Sequence, residues 1–129
     1  MSRSKESPPE RPRYLALLAA PPAIWAAHFL VAYCTAAVWC EKVASPGGSL
    51  GAAGIAIWIF TALALVAIGT IGLLAWRRHR HGDGEPPHDF DSAADRHRFL
   101  GFACLLLSGL SAAAVFYSAL ALRLVGSCQ

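Results

Sequence analysis

The sequence predicts an all-α integral membrane protein with three transmembrane helices, and three observations lead to that prediction. Hydrophobic residues make up 56% of the 129 residues and charged residues only 15%, whereas a soluble domain usually has about 25% charged residues. Three runs lack Asp, Glu, Lys and Arg, and each exceeds the roughly 20 helical residues that cross a bilayer core. All eleven basic residues lie outside these runs. This composition argues against a soluble enzyme, and a net charge of +3 is too small to suggest a nucleic-acid partner.

The first uncharged run extends from Tyr14 to Cys40, after a polar tail at 1–13. Pro21 and Pro22 interrupt it, and the residue before a proline is disfavoured in helical geometry. Since proline is well tolerated in a first helical turn, we expect an interfacial stretch at 14–20 and then a span at about 21–40. One kinked helix through both prolines is the alternative.

The second and third runs predict spans at about 50–76 and 99–122. In lipid, backbone polar groups have to be bonded within their own segment, so all three runs are predicted to be helical. The membrane domain is then 14–123, with a loop at 77–98 and a C-terminal tail at 124–129.

The distribution of basic residues predicts the orientation. The N-terminal tail has four basic residues and the 77–98 loop has five, whereas the opposite side has Lys42 and the span-terminal Arg123. Cytoplasmic segments carry the excess of Lys and Arg. We therefore expect a cytoplasmic N-terminus, a periplasmic C-terminus and retention of the first span as an anchor in a bacterial inner membrane.

The four cysteines differ in predicted depth. Cys40 ends the first span and Cys128 follows the third, so both face the same compartment, which is oxidising in a bacterial periplasm. We predict a Cys40–Cys128 disulfide, with two unpaired thiols as the alternative. Cys34 and Cys104 differ in depth by on the order of 10 Å and are expected to be unpaired, buried thiols.

His28 is the one histidine or charged residue within the three runs. Such a group is costly in a membrane and usually faces protein or a water-filled cavity. We expect a hydrogen bond to a hydroxyl such as Ser108 or Tyr117; contact with a partner subunit, or with haem or a quinone, are the alternatives. An intrinsic haem is disfavoured because a b-type haem usually needs a second axial ligand.

Helical spacing predicts that spans one and three pack together through small and polar residues, with span two facing lipid or a larger partner through Trp58 and its Ile/Leu-rich face. The residues expected at helix-packing or partner contacts are Trp25, His28, Tyr33, Ser108, Ser111 and Tyr117.

The 77–98 loop begins with a basic cluster in which Arg77, Arg78 and Arg80 fit contacts to anionic lipid headgroups. Its histidines and aspartates, among them His79, match no closed zinc pattern, so no metal site is predicted. Neither a phosphate-binding glycine loop nor a Ser–His–Asp set is present. We therefore expect no catalysis by this chain on its own.

Pro21 to Tyr33 contains the motif Trp-x-x-His-Phe-Leu-x-x-Tyr, and Cys40 follows at the helix end. Arg96-His-Arg-Phe-Leu-Gly101, a small-residue third span and the terminal Gly-Ser-Cys128 complete the pattern. It resembles a group of small proteobacterial membrane proteins often encoded beside haem–copper terminal oxidase genes. The resemblance implies a non-catalytic accessory or assembly subunit of a respiratory oxidase, with haem or copper only in partner subunits. A membrane protein that handles a cofactor or metal through His28 and a cysteine is the alternative.

Overall fold

Three long helices make up the structure, a computed structural model that describes residues 11–80, 93–125 and Cys128. Helix α1 is Arg11–Lys42, α2 is Gly51–Arg80 and α3 is Ala93–Val125. Each is long and apolar enough to cross a membrane, which confirms the predicted all-helical class with three candidate spans. The expectations for the tail up to residue 10 and for the loop at 81–92 fall outside the described residues.

Helix α1 is continuous through both prolines, so the expected boundary at residue 21 is wrong and the single-helix alternative holds. Proline has no N–H, and the carbonyl four residues earlier therefore loses its helical donor. For Pro21 that carbonyl belongs to Leu17, and the thiol of Cys104 on α3 donates to it at 3.5 Å. Neighbouring helices commonly satisfy such groups in membrane proteins, which explains how α1 continues.

The contacts between helices define two ends of the bundle. The Leu17 region of α1 meets the Cys104 region of α3, and Cys40 meets Cys128, so α1 and α3 run parallel. Helix α2 runs antiparallel to both because only residues 43–50 connect it to α1. We call the two ends the Cys40 end and the Arg13 end.

Helix α2 packs against both other helices through one face, while Trp58 and the Ile/Leu-rich side of the helix are exposed, as the sequence predicted. Its buried residues recur every three or four positions, which places them on one face of a helix. Most are small, so the backbones of neighbouring helices can approach closely. These residues are Ala53, Ile57, Thr61, Ala64, Ile68, Gly72 and Ala75.

Large apolar side chains lie on the outside of the bundle. The interior cluster of Ala64, Ile68 and Val115 is compact, whereas Leu63, Leu110 and many similar residues are more than half exposed. This arrangement reverses that of a soluble protein, in which exposed apolar patches are small.

At Gly72, α2 approaches α3 closely, and this contact supplies a test of the packing. A Cβ atom at Gly72 would lie 3.2 Å from the Cβ of Ser108. We expect Gly72→Val to destabilise the folded chain by about 1–3 kcal/mol, because the added methyl groups force α2 and α3 apart. Denaturant or thermal unfolding of the purified protein in detergent micelles measures this loss.

Gly69→Val is the matched control. Gly69 lies three residues earlier on α2, and a Cβ there would meet nothing within 4 Å. Both variants change helix propensity equally, so the difference between them isolates the packing contact. Equal destabilisation by the two variants would contradict the close approach at Ser108.

Candidate functional site

Four polar side chains are buried among the described residues, and all three helices contribute to the set. They are His28 on α1, Thr61 on α2, and Ser108 and Ser111 on α3. His28 lies beside the midpoint of the candidate span Arg13–Lys42. The histidine therefore lies about as far as possible from both ends of that candidate span.

The hydrogen bonds around Thr61 assign the proton on His28. The Oγ1 atom of Thr61 lies 2.7 Å from the carbonyl oxygen of Ile57, and a carbonyl has no proton, so the hydroxyl donates in this pair. Its single proton is thereby used. The Nε2 atom of His28, 2.9 Å from the same Oγ1, must then be the donor.

This assignment leaves Nδ1 of His28 as a bare lone pair. Nδ1 is buried and has no hydrogen-bond partner among the described residues. The imidazole stacks on Phe60, with ring centroids 5.5 Å apart and planes inclined by 8°. The ring is fully buried, so it fastens α1 to α2 and offers nothing to the outer surface of the bundle.

The hydroxyl partner of His28 differs from the two that the sequence suggested. Ser108 donates to the carbonyl of Cys104 at 2.8 Å, and Tyr117 is 68% exposed. The imidazole meets α2 instead because α2 has the small-residue face described above, and Thr61 lies on that face. Ser108 and Ser111 do lie in the packed interior.

Trp25 and Tyr33 do not join that interior. They lie on the outer surface of α1, with 37% and 61% of their side chains exposed. This outward placement is compatible with the partner contact expected of them.

The two remaining cysteines, Cys34 and Cys104, are not disulfide-bonded. Cys104 is buried and donates to Leu17. Cys34 is exposed on α1, so its expected burial is wrong; α1 turns this position away from both neighbouring helices. Among the described residues, no three His, Cys, Asp or Glu side chains are grouped closely enough to hold a metal ion.

At the Cys40 end, Cys40 and Cys128 lie at disulfide-bonding distance, with Cα atoms 5.3 Å apart, as the sequence predicted. The backbone of Cys128 also pairs with the 43–50 loop: it accepts from the N–H of Gly47 at 2.7 Å and donates to the carbonyl of Gly48 at 3.1 Å. We call this arrangement the C-terminal clamp.

A tight turn shapes the loop for this clamp. The N–H of Gly48 donates to the carbonyl of Ser45 at 2.8 Å, and the φ of Gly47 is +81°. Proline followed by a glycine with positive φ defines a type II turn, and Ser45-Pro46-Gly47-Gly48 fits it. The indole N–H of Trp39 adds a bond to the carbonyl of Ser49 at 3.3 Å. Sequence reasoning missed this turn, although the Pro-Gly pair is its usual signal.

At the Arg13 end, the candidate spans terminate at Arg13, Arg77 and Arg98. Arg77 and Arg80 are exposed and so are positioned for the headgroup contacts expected of them; the side chain of Arg78 is outside the described part of the structure. At the opposite end, the guanidinium of Arg123 lies 6.0 Å from the ring centroid of Trp58, a cation–π distance.

No protein-family model matches the chain, and no curated protein and no solved structure is similar to it.

Proposed function

We propose that this chain is a non-catalytic accessory or assembly subunit of a larger membrane complex, with the respiratory haem–copper oxidases as the specific candidate. It would reside in a bacterial inner membrane and stabilise its complex through helix packing and lipid contact. Haem and copper, where the complex has them, belong to partner subunits.

The observation that carries this proposal is the sealed position of His28. It is the one histidine or charged residue in the three uncharged runs, and it is fully buried with its N–H bonded to Thr61. The side chains left on the outer surface are mostly large and apolar. A bundle with its polar groups inside and apolar groups outside is suited to contact with lipid and other membrane helices.

The segment that carries the family resemblance supports the same role. In the motif Trp-x-x-His-Phe-Leu-x-x-Tyr, His28 faces inward and the other four named residues are exposed. One short segment therefore supplies both an internal fastener and an external apolar surface. An accessory subunit needs both, because it must fold by itself and also adhere to its complex.

We further propose that the Arg13 end is cytoplasmic. Seven arginines of the three helices lie at that end, against Lys42 and Arg123 near the other. Basic residues stay on the cytoplasmic side of a membrane helix. The C-terminal clamp then lies in an oxidising compartment, where a disulfide persists.

Thiol labelling tests this orientation in intact cells. In a chain with Cys34 and Cys104 replaced by alanine, Ser49→Cys introduces a thiol into the 43–50 loop and Arg80→Cys introduces one at the other end. We expect an impermeant maleimide to label the first variant in intact cells and the second only after permeabilisation. The reverse pattern would exclude the proposed orientation.

Purification from native membranes tests the function. An affinity tag belongs on the N-terminus, because Cys128 is buried in the C-terminal clamp. We expect the chain to co-purify in a fixed ratio with larger membrane subunits that absorb in the haem Soret region. Recovery of the chain alone from mildly solubilised membranes would contradict an accessory role.

One observation favours a second candidate, a membrane protein that handles a cofactor or metal. The Nδ1 lone pair of His28 is buried and unpartnered among the described residues, and neutral imidazole nitrogen is a common metal ligand. This function requires copper, iron or haem in the purified protein at a fixed ratio. That content would have to fall when His28 is replaced.

A further inference from the structure

An aromatic face runs along the outside of α1, formed by Trp25, Phe29 and Tyr33. The three residues are spaced four apart, which places them on one side of a helix. Phe29 is 46% exposed and stacks on Tyr33, with ring centroids 6.1 Å apart and planes inclined by 16°. Phe29 and Tyr33 thus form a stacked pair on the outer surface, one turn beyond Trp25.

This face lies at hydrocarbon depth in a bilayer. The candidate span Arg13–Lys42 has its midpoint between Ala27 and His28. At 1.5 Å per residue, Trp25 lies about 4 Å and Tyr33 about 8 Å from that midpoint. Both are within a hydrocarbon core of about 30 Å, whereas tryptophan and tyrosine in membrane helices normally concentrate at the two interfaces.

The polar tips of this face have no hydrogen-bond partner within the described chain. Helical side chains lean toward the N-terminus of their helix, and for Tyr33 that direction leads away from the nearer boundary at Lys42. Its hydroxyl therefore cannot readily reach water. An N–H or O–H left unbonded in hydrocarbon is costly, so the aromatic face presents two donors that require acceptors.

The depth and chemistry of these two donors limit what can cover the aromatic face in a membrane. Acyl chains have no acceptors at this depth. In a two-fold dimer with its axis along the membrane normal, Trp25 would meet Trp25, and an indole N–H only donates. A second copy would therefore satisfy only one of the two Tyr33 O–H groups and would leave both Trp25 indoles unbonded.

We propose that the aromatic face docks a transmembrane helix of a different protein, one that presents two hydrogen-bond acceptors about 12 Å apart along its axis. Side chains of Ser, Thr, Asn, Gln or His supply such acceptors in membrane helices. This inference rests on the proposed accessory role and assigns the surface through which the chain joins its complex.

Site-specific photocrosslinking in native membranes tests the docking. Phe29→p-benzoylphenylalanine places a photoreactive group between the two donors, and Phe116→p-benzoylphenylalanine places one on exposed α3. The membranes are diluted with added lipid until half of the chain crosslinks at position 29. We expect position 29 to join one other polypeptide, at an apolar segment that mass spectrometry shows to contain polar acceptors.

Removing the two donors tests whether they hold the partner. Adding Trp25→Phe and Tyr33→Phe removes both donors while keeping aromatic rings, and we expect the affinity for the partner to fall on the order of tenfold. Tyr117→Phe, which removes another exposed phenol, should leave crosslinking unchanged. Because all three positions are on the outer surface, thermal unfolding of the isolated chain should match the wild type.

Each contrary outcome has a distinct meaning. Crosslinking only to lipid, or only to a second copy at twice the chain's mass, would overturn the docking proposal, as would a yield indifferent to the two donors. If the chain still co-purifies with a larger complex but crosslinks from position 116 instead, the accessory role stands and this face is wrong. Purification of the chain alone would reject both.

Discussion

Replacing His28 with alanine is expected to lower the unfolding free energy of the chain by about 3–4 kcal/mol. The imidazole is fully buried, stacks on Phe60 and donates to Thr61. Removing it leaves a cavity between α1 and α2, and cavities left by large buried side chains cost about 3–5 kcal/mol. Reversible denaturant unfolding in detergent micelles measures the change.

Leu30→Ala is the control for this variant. Leu30 lies two residues later on the same helix and is 59% exposed, so its truncation removes apolar volume from the outside of the bundle. We expect it to cost less than about 1 kcal/mol, since it opens no internal cavity. Similar losses for the two variants would show that His28 does not fasten the helices.

The hydrogen bond itself is isolated by replacing its acceptor. Thr61→Val keeps the volume but leaves the His28 N–H unbonded in a closed interior, which costs about 1–3 kcal/mol. Thr70→Val is the matched control, because exposed Thr70 bonds only the carbonyl of Ala67 in its own helix. When His28→Leu is already present, Thr61→Val should cost clearly less, and additive losses would contradict the bond.

The number of helices and the burial of His28 could be predicted from the sequence. Both follow from the hydrophobic effect on long runs of residues. An uncharged run of 27 residues has few structures available to it in lipid, and a lone histidine within one stands out. The partner of that histidine could not be predicted. Hydroxyl groups on other spans are carried by Ser108, Tyr117 and Thr61. Depth along the span alone does not indicate which of them bonds His28.

What selects Thr61 is the packing of α2. Its residues 53, 57, 61, 64, 68, 72 and 75 form one continuous face, and this pattern is visible in the sequence once spacing is examined separately from hydrophobicity. In lipid, apolar residues do not indicate which side of a helix faces the other helices, because lipid is as apolar as the protein interior. The small residues and the threonine carry that information instead.

Helix α1 continues through Pro21 with the help of a contact from another helix. Preferences of neighbouring residues in the sequence cannot predict such a contact. Local preferences disfavour helical geometry before a proline, and they ended the predicted span there. Pro21 leaves the carbonyl of Leu17 without a helical donor, and the thiol of Cys104, 87 positions after Leu17, donates to it. The pairing of Cys40 with Cys128 was predictable because both cysteines lie near the C-terminal ends of the first and third helices, which a three-span topology places at one end of the bundle.

Replacing Cys40 with serine is expected to free the C-terminal tail and to lower the unfolding free energy of the chain, by up to about 4–5 kcal/mol. The disulfide closes a loop over a sequence separation of 88 residues, and a cross-link of that length restricts the unfolded chain strongly. The measured loss should fall below this figure, because helices that stay inserted in a micelle already limit the unfolded state. The backbone bonds of Cys128 to Gly47 and Gly48 should then exchange their amide hydrogens faster.

Three variants and one reductant test whether the disulfide supplies this stability. Cys40→Ser, Cys128→Ser and the double variant should be destabilised equally, because either substitution abolishes the same covalent bond. Treating the wild type with a dithiol reductant should reproduce the loss, and Cys34→Ser, at an exposed unpaired cysteine, should leave stability unchanged. Before reduction, alkylation should reach at most two of the four cysteines. Four alkylated thiols in the untreated protein, or unequal effects of the two single variants, would show that the clamp rests on the loop's hydrogen bonds and not on a disulfide.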